Sequence, residues 1–154
     1  MKVAIGSDHA GFEVKERLKA RLVKAGHEVH DAGALTPEPC DYADPAQSVA
    51  TAVAKGEVEK GILVCGSGVG MSIAANKVEG ARAALVTDDW LAEMCRRHND
   101  ANVLCLGARL QAPEALERFT DKFLATGFEG GRHQGRVDKL RMIEQRKLPL
   151  AKLR

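Results

Sequence analysis

Aromatic side chains are scarce in this chain: one Trp, one Tyr and four Phe make up 4% of its 154 residues. That leaves too few rings for a base-stacking platform or a Tyr-rich binding surface, so the core must be mainly aliphatic. No apolar run approaches the roughly 18 residues of a membrane span, and the N-terminus runs straight into a strand pattern. Neither a span nor a signal peptide is expected, and the cytoplasm is the expected location. Charge of one sign is lacking too, since 23 Lys and Arg against 21 Asp and Glu leave a formal +2. Such interleaved charge gives no electrostatic case for nucleic acid. One stretch departs from this balance: Arg132, His133, Arg136, Lys139, Arg141, Arg146 and Lys147 make the last quarter basic. No CxxC pair joins Cys40, Cys65, Cys95 and Cys105. Reduced thiols are expected rather than a disulfide framework, and no zinc-ligand spacing is present, so no metal is expected.

What remains is 45% apolar, enough for one domain over 1–154 with a real core. Short apolar strands, Lys2 to Gly6, His27 to Asp31, Gly61 to Cys65, Ala83 to Val86 and Val103 to Leu106, alternate with helical spacing. Five strands buried on both faces and separated by helices predict an α/β fold, a three-layer αβα arrangement around a parallel sheet. The first helix is placed by Phe12, Val14, Leu18, Leu22 and Ala25, with Gly26 as its stop. Asp44 with Pro45 opens the second, and Val49 and Val53 give its buried stripe. The third starts in the glycine-rich turn, bears Ile73, Ala74 and Lys77, and ends near Gly80. Thr87-Asp88-Asp89 caps a fourth, which stops at His98-Asn99-Asp100. Pro113 opens a fifth with Leu116, Phe119 and Phe123 on one side. A last helix after Gly130-Gly131 bears Val137, Leu140 and Ile143, and Pro149 ends it.

Parallel strands bring the loops at their carboxyl ends to one sheet edge, where such folds bind ligands. Four loops there are chemically loaded: Ser7-Asp8-His9, Cys65 to Gly70, Thr87-Asp88-Asp89 and Gly107-Ala108-Arg109. Gly66, Gly68 and Gly70 permit a tight turn whose N–H groups converge on an anion. The turn lacks the Lys-Ser/Thr of a P-loop, the first strand lacks GxGxxG, and Cys65 stands where a nucleophile elbow needs Gly. An anion site and a plain strand-to-helix connection both fit it. Cys65 is either a thiol activated by that positive environment or an inert core residue. Ser67 can donate to a bound oxygen, cap the next helix, or do both. Asp8-His9 and His98-Asn99 supply groups suited to moving protons between oxygens. Arg132 and Arg136, four apart, share a helix face that either meets a phosphate or is solvated. His133 beside them either helps hold phosphate or caps the last helix. Arg109 follows the fifth strand at the ligand edge. His27 and His30 bracket a short strand as surface or edge residues, and Cys40, Cys95 and Cys105 are structural.

At these residues the chain resembles the B-type ribose-5-phosphate isomerase family, which includes galactose-6-phosphate isomerase subunits. The matching blocks are GSDHAG at 6–11, DYADPA at 41–46, GILVCGSGVGMSIAANK at 61–77, RHNDANVLCLGAR at 97–109 and EGGRHQGRV at 129–137. The resemblance implies a Rossmann-like αβα fold with strand order 2-1-3-5-4, no cofactor, and dimers whose active sites combine both subunits. It implies that Cys65 moves a proton between C1 and C2 of a phosphorylated sugar. Asp8 and His98 would open the furanose ring, with His9 near the ligand. Ser67 and the amides of Gly66, Gly68, Val69 and Gly70 would steady the enediolate, joined by Asn99. Arg109, Arg132 and Arg136 would grip the phosphate with His133 nearby, the last two arginines from the partner chain. Some relatives use Glu as the base, but here Cys65 is present and Ala74-Ala75 offer no carboxylate. The implied reaction interconverts ribose 5-phosphate and ribulose 5-phosphate through a cis-enediolate. A tetrose, allose or galactose phosphate would use the same chemistry. A non-catalytic sugar-phosphate-binding module is the competing class, but binding alone needs no proton-transfer set. A helix at about 133–147 is expected at the subunit interface. Whether the tail beyond Glu144 packs on the partner and whether dimers pair into tetramers stay open.

Overall fold

Strand β1 (Lys2–Ser7) is followed by a 3-10 turn (His9–Gly11), α1 (Phe12–Lys24), β2 (Glu28–Asp31), α2 (Ala43–Ala54) and β3 (Lys60–Cys65). After these come α3 (Val69–Ala75), β4 (Ala83–Leu85), α4 (Asp89–Asn99), β5 (Val103–Gly107), α5 (Pro113–Ala125), a second 3-10 turn (Gly131–His133) and α6 (Gln134–Glu144). These elements come from a computed structural model that describes residues 1–150. All strand pairs are parallel and the order is β2-β1-β3-β5-β4, the expected one.

Successive strand residues face opposite ways, so each strand feeds two cores. Ile62 and Val64 join Leu18, Leu22, Leu116, Phe119 and Phe123 on the face covered by α1, α4 and α5. Leu63 and Cys65 join Val49, Val53, Met71 and Ala75 on the face covered by α2 and α3. Only β1, β3 and β5 are buried on both faces, contrary to the expectation for all five. The edge strands β2 and β4 are half-covered because each lacks a neighbour on one side.

Three helix boundaries also differ. The second helix starts at Ala43, one residue before Asp44, and no side chain caps it; Asp41, just before its Tyr42 cap position, accepts from Ala43 N–H at 2.9 Å. The third helix ends at Ala75 instead of near Gly80, because the Asn76 side chain donates to the carbonyls of Ser72 and Ala83 and accepts from Ala83 N–H. Its buried residues are Met71 and Ala75, while Ile73 is exposed. The last helix ends at Glu144, short of Pro149; it buries only Val137 and leaves Leu140 and Ile143 exposed, so α6 stands largely off its own chain. The tail residues 151–154 lie outside the described residues. Among the described residues no helix is long and apolar enough to cross a membrane.

Candidate active site

Backbone geometry at the ends of β1, β3 and β5 builds a cavity of about 470 Å³ lined by Asp8, His9, Tyr42, Cys65, Ser67 and Arg109, among others. Gly11 lets the first 3-10 turn lie on β3: a Cβ there would sit 2.3 Å from the Val64 carbonyl oxygen. Asp8 caps that turn by accepting from Gly11 N–H at 3.0 Å, and its own N–H donates to Val64 O at 3.3 Å. The Asp8-His9 pair is thereby held beside Cys65. Across the cavity, Ala108 N–H donates to Cys65 O at 2.8 Å and Arg109 N–H to Gly66 O at 3.0 Å. This zipper lays the Arg109 side chain against Gly66. Among the described residues the Arg109 guanidinium makes no ion pair, so its charge is left for a ligand.

In the glycine-rich turn the thiol and the hydroxyl each meet a backbone amide. Gly68 is left-handed at φ +77, and a Cβ on it would fall 2.5 Å from Leu85, so no other residue fits. In this conformation Gly68 N–H points at Cys65 Sγ, 3.1 Å away. Ser67 Oγ accepts from Val69 N–H at 3.3 Å, which leaves its own proton free to donate elsewhere. Among the described residues the amides of Gly70 and Met71 have no acceptor, as the first turn of a helix requires. The thiol, the hydroxyl and Gly70 thus line one cavity. Burial pushes the Cys95 thiol up to about 11 and the Cys105 thiol further still.

A second cluster forms at the end of α4. His98 and His133 stack with ring centroids 4.3 Å apart and planes 13° from parallel. Glu129 faces both, its Oε2 lying 3.4 Å from His133 Nε2 and 3.9 Å from His98 Nε2. Arg97 bonds the other Glu129 oxygen and holds that carboxyl below the usual carboxylate range. Arg132 Nε donates to His133 Nε2 at 3.3 Å. Burial first, then the charges of His98 and Arg132, pushes the His133 imidazole below its ordinary value. His133 is only 3% exposed and makes no side-chain cap on α6, so it backs His98 instead of capping a helix or facing open space. The ligand atoms of His98, Glu129 and His133 lie within 4.8 Å of one another. Near-parallel rings cannot both aim lone pairs at one ion between them, and two guanidiniums already occupy the cluster, so these residues fit a metal poorly.

Within one chain neither His98 nor Asn99 reaches the cavity of Cys65. Asn99 lines a separate groove with Cys95, Leu140 and Ile143, below α6. His98, Arg132 and His133 therefore form one cluster, with the Arg136 charge acting on His133 and Asn99 in the adjacent groove, and Asp8, His9, Cys65, Ser67 and Arg109 form another.

A family model described as Ribose/Galactose Isomerase matches residues 3–140. The chain belongs to the ribose/galactose isomerase family. It is 48% identical to ribose-5-phosphate isomerase B of Escherichia coli (strain K12) over 146 residues, covering 95% of this chain and 98% of that one. It superposes on the Clostridium thermocellum ribose-5-phosphate isomerase B structure with a TM-score of 0.94 at 46% identity, covering 95% and 99% of the two chains. A Mycoplasma genitalium ribose-5-phosphate isomerase B structure with bound ribulose-5-phosphate matches with a TM-score of 0.91 at 41% identity, covering 94% and 96%.

The isomerase cavity holds residues that sequence reasoning passed over. Tyr42 packs its ring against Gly70, where a Cβ would come within 2.9 to 3.1 Å of it, and Leu110 closes the rim. Tyr42 stands inside the block DYADPA, so its signal was the chain's single tyrosine in a matching motif. Glu129 likewise opens the block EGGRHQGRV, without a spacing that would tie it to His98.

Proposed function

We propose that the protein interconverts ribose 5-phosphate and ribulose 5-phosphate, as a cytoplasmic homodimer in which each active site draws on both chains. The observation that supports this most is a complementarity of charge. Among the described residues Arg109 is the only Arg or Lys lining the cavity around Cys65, while a sugar phosphate carries close to two negative charges. Arg132 and Arg136 stand with His98 on the other cluster, beside exposed Leu140 and Ile143 on α6. A partner's cluster seated over the cavity would supply the missing cations and the imidazole together.

Ring opening needs a proton removed from the anomeric hydroxyl and one delivered to the ring oxygen, the work of Asp8 and of His98 from the partner chain. Cys65 then takes the proton from C2 of the open aldose and charge develops on O1. The turn amides and the Ser67 hydroxyl receive that charge, each such donor being worth about 3 kcal/mol in the transition state. Return of the proton to C1, with the O2 proton passing to O1, gives the ketose. The hydrogen moves within one molecule, so no electron acceptor enters the balance. The phosphate anchors the sugar and supplies binding energy for orientation.

Mixed dimers test the shared site. A Cys65→Ala chain and an Arg136→Ala chain, each impaired alone, should regain about a quarter of wild-type turnover when mixed one to one, since half the dimers carry one intact site. No recovery after verified subunit exchange would refute the arrangement. Four- and six-carbon phosphates share the mechanism, and kcat/KM across such a panel ranks them against the pentose.

A further inference from the structure

The core stripe of α1 is Lys15, Leu18 and Leu22, spaced as one face of a helix. An ammonium thus occupies a position where the helical period calls for an aliphatic side chain, and it is fully buried. Lys15 Nζ donates to both Asp31 oxygens at 3.0 and 2.7 Å and to the Ala34 carbonyl at 2.7 Å, with Glu16 at 2.7 Å. Asp31 also accepts from Lys19 at 2.7 Å and from Gly33 N–H at 3.1 Å. Burial alone would raise the Asp31 carboxyl, but Lys15 and Lys19 hold it below its ordinary value. A buried ion pair of this kind is a poor stabiliser compared with packed apolar side chains. Stability therefore does not account for Lys15, and what its ammonium holds in place does.

The ammonium holds residues 31–34, the root of the loop between β2 and α2. Gly33 there has φ +122, a conformation open to glycine and not to other residues. This root brackets Ser7: Ser7 N–H donates to Gly33 O at 2.8 Å, and Ser7 O accepts from Ala34 N–H at 2.7 Å. Ser7 is bonded directly to Asp8. Further along, the same loop meets His9 at Cys40, where the His9 ring lies 3.3 Å from the Cys40 backbone, and then presents Tyr42 to the cavity.

We propose that Lys15 is a positioning residue: by clamping the root of the β2–α2 loop onto Ser7, it sets Asp8 and His9 on one wall of the cavity and Tyr42 on another. The catalytic consequence rests on the isomerase function proposed above; the clamp itself does not.

Lys15→Met tests it with two readouts. Amide hydrogen exchange at Ser7 and Ala34 should quicken at least about tenfold, while exchange at Leu104 in the interior strand β5 stays unchanged. Net conversion of the cyclic aldose phosphate should fall about 10- to 100-fold. Wash-in of deuterium from solvent into the ketose phosphate should fall much less, because ribulose 5-phosphate has no furanose ring to open. A variant with merely fewer folded molecules would lower both rates by one factor. Unchanged exchange at Ser7 and Ala34, or equal loss of both rates, overturns the proposal. If Lys15→Met does not fold, Asp31→Asn weakens the same clamp from its more exposed end and is judged by the same two criteria. A wild-type protein that isomerises nothing would refute the proposed function, and the exchange measurement would then decide the clamp alone.

Discussion

Replacing Cys65 by Ser and by Ala separates its chemical role from its structural one. Cys65 is 4% exposed, and its Sγ is the acceptor for the N–H of Gly68, a residue already held at φ +77. Alanine removes that acceptor and leaves a buried amide unpaired, at a cost of about 1 to 3 kcal/mol in stability. Serine keeps an acceptor atom at the same place, so Cys65→Ser should stay within about 1 kcal/mol of wild type. Its hydroxyl is a far poorer proton acceptor than a thiolate, and loss of a positioned base removes about 10² to 10⁴ of rate. Both variants should therefore lose about a thousandfold in kcat, near 4 kcal/mol of barrier. KM should hold within about threefold, because Arg109 is anchored separately through Gly66. Deuterium wash-in should fall with net turnover, since the thiol acts on the carbon-bound hydrogen itself. Steady-state kinetics in D₂O beside thermal unfolding would measure all four quantities. A folded Cys65→Ser protein turning over within tenfold of wild type would refute the base assignment.

Asp8→Asn keeps the cap on Gly11 N–H and should lower net conversion of the cyclic sugar more than wash-in into the ketose; equal losses would move Asp8 out of ring opening. Arg136→Ala should raise KM for phosphorylated sugars and leave the unphosphorylated ones nearly unchanged, which paired assays of each sugar would show. Gly68→Ala should lose about 3 kcal/mol, because its Cβ would meet Leu85 and its backbone would stay left-handed; calorimetry should show Tm lower by about 10 °C. The Asp31 carboxyl is held below its unfolded value, so its contribution to stability is complete above about pH 4 and is lost as pH falls through the folded value. The Tm difference between wild type and Asp31→Asn should accordingly shrink to nothing in strong acid, and a constant difference would show that the ion cluster is not its cause.

The sheet was legible because its period is simple. Apolar runs such as Ile62-Leu63-Val64 admit one reading when both faces are covered, and β3 starts one residue from the expected place. Strand order came from resemblance, since spacing alone does not fix which parallel strand lies beside which. The reach of α3 was misjudged because Asn76 stops it through side-chain bonds to Ser72 and Ala83, a tertiary cue with no local signature. Ile73 misled for a related reason: it matches a core stripe by composition, yet it faces outward while Met71 and Ala75 pack.

The candidate site was legible in halves for a physical reason. Asp8, Cys65 and Arg109 follow strands of one sheet, and parallel topology delivers every such loop to the same edge whatever the intervening sequence. His98 and Asn99 end a helix, and the direction a helix end faces depends on its packing, which Arg96 fixes here through the Thr126 and Ala101 carbonyls. Nothing local to RHND encodes those contacts. Lys15 shows a different failure: the residues that placed the first helix, Phe12, Val14, Leu18, Leu22 and Ala25, pass it over, although it shares the buried stripe of Leu18 and Leu22. A charged residue spaced with leucines should instead prompt a search for its buried counter-ion, and in this chain that search leads from Lys15 through Asp31 and Ser7 to the wall of the cavity.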